Sequence, residues 1–200
     1  MTKRVSPFML LGGGVAAVFV AALVGVMAWV AQDTPRASPF NARFSLVDDR
    51  GNPVDQSLFK GAPSIVYFGY THCPEVCPTT LFEVADWLKE LGPDGKSLRA
   101  YFFTIDPARD TPDVMRSYVT AFTDRITGIT GTEAEMKKVI DGWMIHASKL
   151  PSSDGDYHMS HTTSLLLIGA DGRLKGMMPY GINEDEALQK IRTSLLRQNS

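Results

Sequence analysis

From Phe8 to Ala31 the chain runs for 24 residues without a charge, twenty of them apolar and four glycine. No other feature constrains the fold as much. As a helix this run is about 36 Å long, enough to cross a hydrocarbon core of roughly 30 Å. A buried core helix would keep a polar face over so many turns, and this run has none. Lys3 and Arg4 are the only charges ahead of Asp33. The positive-inside rule then holds the N-terminus in the cytoplasm and exports the rest of the chain. Trp29, near one end, suits a membrane interface. The rival reading is a cleaved signal peptide, whose apolar region is normally about 7–15 residues. Its best small-residue site, Val26-Met27-Ala28, lies inside the run. The expected organisation is a cytoplasmic tail at 1–7, a transmembrane anchor at 8–31, a linker at 32–40 extended by Pro35 and Pro39, and one exported domain at 41–200.

Composition matters for that last part. Without Lys3 and Arg4 the chain has 18 basic against 22 acidic side chains. A general nucleic-acid binder needs a basic face to neutralise phosphates, so that class is set aside. Two cysteines cannot form a disulfide scaffold, and the core must come from packing.

The exported part alternates strand and helix signals. Ala42 to Val47 reads as a first strand, turned by Asp48 to Asn52. Ser64 to Tyr70 and Leu98 to Ile105 are short apolar and aromatic runs typical of buried strands. Cys77, Leu81, Val84, Leu88 and Leu91 recur at helical spacing until Gly92-Pro93. Thr111-Pro112 is a capped helix start, and Thr132 to Trp143 a second helix with an acidic first turn. Ile126 to Thr130 is a short strand. Thr162 to Ile168 and Leu174 to Met178 flank Gly169 to Gly172 as a hairpin, and Asn183 to Leu196 closes the chain as a helix. Met144, Met177 and Met178 read as core packing. The expected fold is a thioredoxin-like three-layer α/β sandwich.

Both cysteines stand in Thr71-His72-Cys73-Pro74-Glu75-Val76-Cys77-Pro78, at a strand-to-helix junction. Pro78 belongs in a first helical turn, which puts Cys77 at or near the N-cap and Cys73 in the loop before it. Helix N-termini stabilise thiolates. Three readings compete: two small buried hydrophobes, a redox dithiol in an oxidising compartment, and a metal site. The spacing is one residue longer than the usual redoxin pair. Among four histidines, His72 adjoins Cys73, and His146 falls near a helix end where an exposed ring contacts carbonyls. His158 and His161 fall in a polar loop, Ser152 to Ser160, and at its exit. In thioredoxin-like proteins the loop entering the next strand faces the cysteine loop, which favours His161, the nearer to that strand, over His158. Two thiolates and one imidazole without a fourth ligand suit copper better than structural zinc.

These residues carry a resemblance. Phe68 to Pro78 resembles the signature of the Sco/SenC family. Asp106-Pro107-Ala108-Arg109-Asp110-Thr111-Pro112 resembles its second motif, and His161-Thr162 before Leu165 to Gly169 its third. The resemblance covers about Phe44 to Leu195. It implies a membrane-anchored copper protein of the bacterial periplasm or mitochondrial intermembrane space, holding Cu(I) or Cu(II) through Cys73, Cys77 and His161. It further implies a role in building the binuclear copper centre of cytochrome c oxidase subunit II, with a copper donor protein and a thioredoxin-like reductant as partners. The alternatives are a thiol-disulfide oxidoreductase using Cys73 and Cys77, and a copper or redox sensor. Ser160 stands where many members have an aspartate that orients the imidazole. Asp106 and Arg109 divide between a docking loop and a structural ion pair. Asp110 or Thr111 is expected to cap the next helix.

Overall fold

A computed structural model describes residues 20–27, 43–152 and 155–196. Residues 20–27 are helical and lie within the apolar run. Among the described residues no helix is long and apolar enough to cross a membrane. The tail, the linker and the rest of the expected anchor lie outside the described residues. The described residues divide into two units, before and after Ala37, and every described strand belongs to the second.

That unit begins with β1 (Leu46–Asp48) and β2 (Pro53–Val54), a short antiparallel pair. The Asp48 carboxylate closes their turn by accepting from the Arg50 and Asn52 N–H groups at 2.9 and 2.8 Å. A 3-10 turn at Gln56–Phe59 leads to β3 (Ser64–Gly69), all six residues buried. Helix α1 (Val76–Glu90) crosses to β4 (Arg99–Thr104), and α2 (Pro112–Thr120) to β5 (Ile126–Thr130). Then come α3 (Glu133–Gly142), β6 (Ala147–Pro151), β7 (Tyr157–His161), β8 (Leu165–Ile168), β9 (Leu174–Met178) and α4 (Glu184–Ile191). A π-helical turn, Arg192–Leu196, follows α4.

Seven strands form one sheet in the order β2-β1-β5-β4-β3-β8-β9. Strands β3, β4 and β5 are parallel neighbours, joined by the helical crossovers that parallel pairing requires. Strand alternation sorts the core onto two faces. Tyr67 and Phe102 stack on one, against Tyr118 of α2 and Cys77 of α1. Phe68 and Phe103 lie on the other, against Phe59 and Trp143 at the end of α3. Helix α4 packs beside α1. The three layers expected from the sequence are therefore present.

Thr111, Thr132 and Asn183 cap α2, α3 and α4 by accepting from the N–H three residues on. Other expectations are corrected. Strand β1 starts at Leu46 and β8 at Leu165, later than the apolar patterns suggest. Helix α1 starts at Val76 with Glu75 at its cap, so Cys77 is its second residue, near the N-cap as expected. Pro78 sits third, where its missing N–H costs no helical bond. The polar stretch read as a loop is instead a hairpin: β6 and β7 pair from Ala147↔His161 to Pro151↔Tyr157, a two-stranded sheet separate from the main one. Its polar sequence is compatible with strands because one face meets solvent. Met178 is buried, but Met144 and Met177 are 73% and 44% exposed. Met177 points outward from the edge strand β9, and Met144 occupies a turn at φ +54.

Candidate metal centre

Strands β3 and β4 end side by side, at the edge where α/β proteins place their sites. The loop after β3 turns at Tyr70, whose carbonyl accepts from Cys73 N at 3.2 Å. Cys73 Sγ accepts from Cys77 N, in the first turn of α1, at 3.3 Å. Cys77 is completely buried. Its sulfur occupies space that only a glycine leaves open, since a Cβ on Gly69 would stand 2.7 Å from Cys77 Sγ and 2.7 Å from Phe102 Cε2. Tyr67 Oη donates to the same sulfur at 3.7 Å. Neither cysteine is in a disulfide.

His161 comes from elsewhere, the last residue of β7. Its Nε2 lies 3.6 Å from Cys77 Sγ. Its Nδ1 lies 2.8 Å from the Thr162 carbonyl oxygen. A carbonyl only accepts, so Nδ1 carries a proton and Nε2 is the nitrogen turned toward the sulfurs. Tyr67 and Tyr70 meet the imidazole in T-shaped contacts at centroid distances of 6.2 and 6.0 Å. The donor atoms of Cys73, Cys77 and His161 all lie within 4.8 Å of one another.

The two sulfurs are electrostatically unlike. The Cys77 side chain hydrogen-bonds Cys73 and pulls its thiol down to about 4, overcoming burial, with help from His161 and the N–H groups of Cys77 and Glu75. Cys77 is pushed far up, because it is the donor in that bond and because it is buried beside the Cys73 charge. Burial likewise raises the Tyr67 phenol, which stays a neutral donor. The metal-free site is a low-lying Cys73 thiol paired with a Cys77 thiol, both facing the imidazole Nε2. Two sulfurs and one nitrogen form a soft set that fits a copper ion, and a metal held by both sulfurs displaces the Cys77 proton.

A buried carboxylate fixes the cysteine loop. Asp110 accepts from Thr71 N at 3.1 Å, Thr71 Oγ1 at 2.6 Å and Thr104 Oγ1 at 2.6 Å, while its carbonyl accepts from Thr130 Oγ1 at 2.7 Å. It ties the loop after β3 to β4 and β5. It is a hub and not a helix cap, and the cap is Thr111 alone. Asp106 and Arg109 form the structural ion pair, Arg109 Nε donating to Asp106 Oδ2.

The remaining histidines stand apart from the cluster. His72 is exposed, 3.1 Å from Thr71 Oγ1. His158 is exposed on β7 and lines the rim of the open cleft that contains Cys73 and His161. His146 Nε2 is 3.3 Å from the hydroxyls of both Ser148 and Ser160. Ser160 thus points away from His161, as alternation along β7 requires. The Thr162 carbonyl orients the ligand-side imidazole. Sequence reading missed Tyr67, Gly69, Tyr157 and Thr162. Gly69 and Thr162 stood inside the motifs with no role assigned, and for Tyr157 the signal was the odd-residue alternation Tyr157, Met159, His161.

A family model described as SCO1/SenC matches residues 32–196. The chain is 34% identical over 155 residues to the mitochondrial protein SCO2 of Saccharomyces cerevisiae, covering 76% of this chain and 52% of that one, about half the relative's length. The copper-bound structure of Bradyrhizobium japonicum ScoI is 39% identical, with a TM-score of 0.72 over 78% of this chain and 99% of that chain. A more distant structure, 19% identical with a TM-score of 0.61 over 82% of this chain and 97% of that chain, is BsSco, described as a member of the Sco family of cytochrome c oxidase assembly proteins. At that identity the likeness is one of fold.

Proposed function

Because the chain belongs to the SCO1/SenC family, we propose that it carries copper as cargo on Cys73, Cys77 and His161 and delivers it during assembly of cytochrome c oxidase, at the binuclear copper centre of subunit II. The observation that carries this reading is the convergence of two sulfurs and one imidazole nitrogen within 4.8 Å. Cys73 and Cys77 supply soft donors that retain Cu(I), and His161 supplies the nitrogen that Cu(II) favours. Three ligands leave a position open to an incoming ligand, and the cleft rim at Tyr70 and Glu75 leaves the site reachable.

The proposed organisation keeps residues 1–7 in the cytoplasm, 8–31 as the anchor, 32–40 as linker and 41–200 as the copper domain in the periplasm, or in the intermembrane space of a mitochondrion. The family match begins at residue 32, where the apolar run ends. A copper donor protein and a thioredoxin-like reductant complete the proposed partners.

One observation favours a second reading, reduction of the target's cysteines. A Cys73 thiolate beside a Cys77 thiol is poised for exchange. Cys73 would attack a partner disulfide, one partner sulfur leaving as thiolate. Cys77 would then displace the other and close the Cys73–Cys77 disulfide, so that two electrons pass to the partner.

Metal analysis of the reduced full-length chain after loading with Cu(I) and dialysis separates the two. About one copper per chain is expected, with Cys73→Ser and Cys77→Ser each losing it, because a hydroxyl is a poor ligand for a soft metal. Full copper retention in either serine variant overturns the ligand assignment.

A further inference from the structure

The cysteines are held by the core, whereas His161 reaches the site on a two-stranded hairpin outside the main sheet. Something must fix that hairpin against the ends of β3 and β4. At its base, Thr162 N donates to the His146 carbonyl at 3.1 Å and His146 N to Thr162 Oγ1 at 2.9 Å. Along its flank the contacts converge on one arginine. Arg109 Nε donates to Asp106 Oδ2, and Tyr157 Oη donates to the other oxygen of the same carboxylate at 2.7 Å. The guanidinium lies over the Tyr157 ring, 3.8 Å from its centroid, and its Nη1 reaches Asp156 Oδ1 at 3.0 Å. It also stands 5.9 Å from the Tyr70 ring, which meets the His161 ring edge-on at 89°. Arg109 Nη2 is buried without a hydrogen bond. Only a planar, delocalised cation can donate in its plane to Asp106 while its face covers Tyr157. Tyr157 precedes His161 by four residues on the same strand, so fixing one sets the reach of the other.

We propose that Arg109 and Tyr157 are positioning residues that set the placement of His161 against the two sulfurs and thereby govern how strongly the site favours Cu(II) relative to Cu(I). This rests on Cys73, Cys77 and His161 being the copper ligands, as the proposed function has them. Two thiolates suffice for Cu(I), whereas Cu(II) depends on the imidazole. Loosening the hairpin therefore weakens Cu(II) binding selectively. General destabilisation would weaken both.

The test measures Cu(I) and Cu(II) affinities of the full-length chain by competition with a chromophoric chelator for each, together with the Cu(II) electron paramagnetic resonance spectrum. Tyr157→Phe keeps the ring beneath Arg109 and removes the bond to Asp106. It should lower Cu(II) affinity about tenfold, alter the Cu(II) spectrum, and leave Cu(I) affinity within about twofold. Arg109→Lys keeps the charge and loses the planar fork, and should cost Cu(II) affinity more. Ser160→Ala, on the opposite side of β7, should leave both affinities in place. An unchanged ratio in Tyr157→Phe, or an equal fall of both affinities, overturns the proposal. If the cysteine variants lose copper while Tyr157→Phe keeps the wild-type ratio, the ligand reading stands and this one falls.

Discussion

The two halves of the site are held in different ways. Cys77 lies inside the core, its sulfur fitted over Gly69 and against Phe102, and the Cys73 loop is tied by Asp110 to two strands of the main sheet. His161 stands on a hairpin that Ala147 and Met159 pack against the core and whose flank meets Arg109 and the Tyr157 hydroxyl. The sulfur half is thus built into the main sheet and its helix, and the nitrogen half onto a separate hairpin. Copper changes its ligand preference with oxidation state, so in the proposed site the sulfurs matter most for Cu(I) and the imidazole for Cu(II).

Perturbing the cysteine half should have the largest effect on the fold. Asp110→Ala leaves the Thr71 N–H and the hydroxyls of Thr71 and Thr104 without their buried acceptor. Stability to denaturant should fall by about 3 kcal/mol, since each buried polar group left unpaired costs roughly 1–3 kcal/mol. A loss below about 1 kcal/mol would show that the loop does not depend on this hub, and the contrast between the halves would weaken.

A second effect, dependent on pH, arises from the unlike sulfurs. The folded Cys73 thiol lies at about 4, below the ordinary cysteine value of about 8.5. In the metal-free reduced protein its contribution to stability is therefore full above the ordinary value and is lost as pH falls through 4. Cys77 has the opposite sign: its raised value favours the fold at lower pH and costs stability as pH rises past the ordinary value. The advantage of wild type over Cys73→Ser should grow as pH is raised from about 4 to about 8 in denaturation midpoints. A difference that is flat across that range would mean the thiolate is not held by the fold.

The same division governs what the sequence made legible. The cysteine half could be read because a short apolar strand run and a period-3.6 helix flank it, and both patterns survive in a single sequence. Thr111, Thr132 and Asn183 announced their helices for the same local reason. The histidine half is nonlocal. Tyr157 to His161 is too polar to show as a strand, and Tyr157 meets Asp106 from 51 positions away. Asp110 was expected among capping residues because spacing does not distinguish a cap from a buried acceptor serving two strands. Ser160 looked like a missing orienting group for His161, but its side chain faces His146 and a main-chain carbonyl, invisible as a residue type, takes that place.

Copper-edge X-ray absorption on the full-length chain carrying one copper tests the joined-halves account most directly, because it counts sulfur and nitrogen neighbours. Two sulfurs and one histidine nitrogen are expected, with His161→Ala keeping both sulfurs and losing the nitrogen. A wild-type spectrum with fewer than two sulfur neighbours, or a histidine signal that survives in His161→Ala, would contradict it.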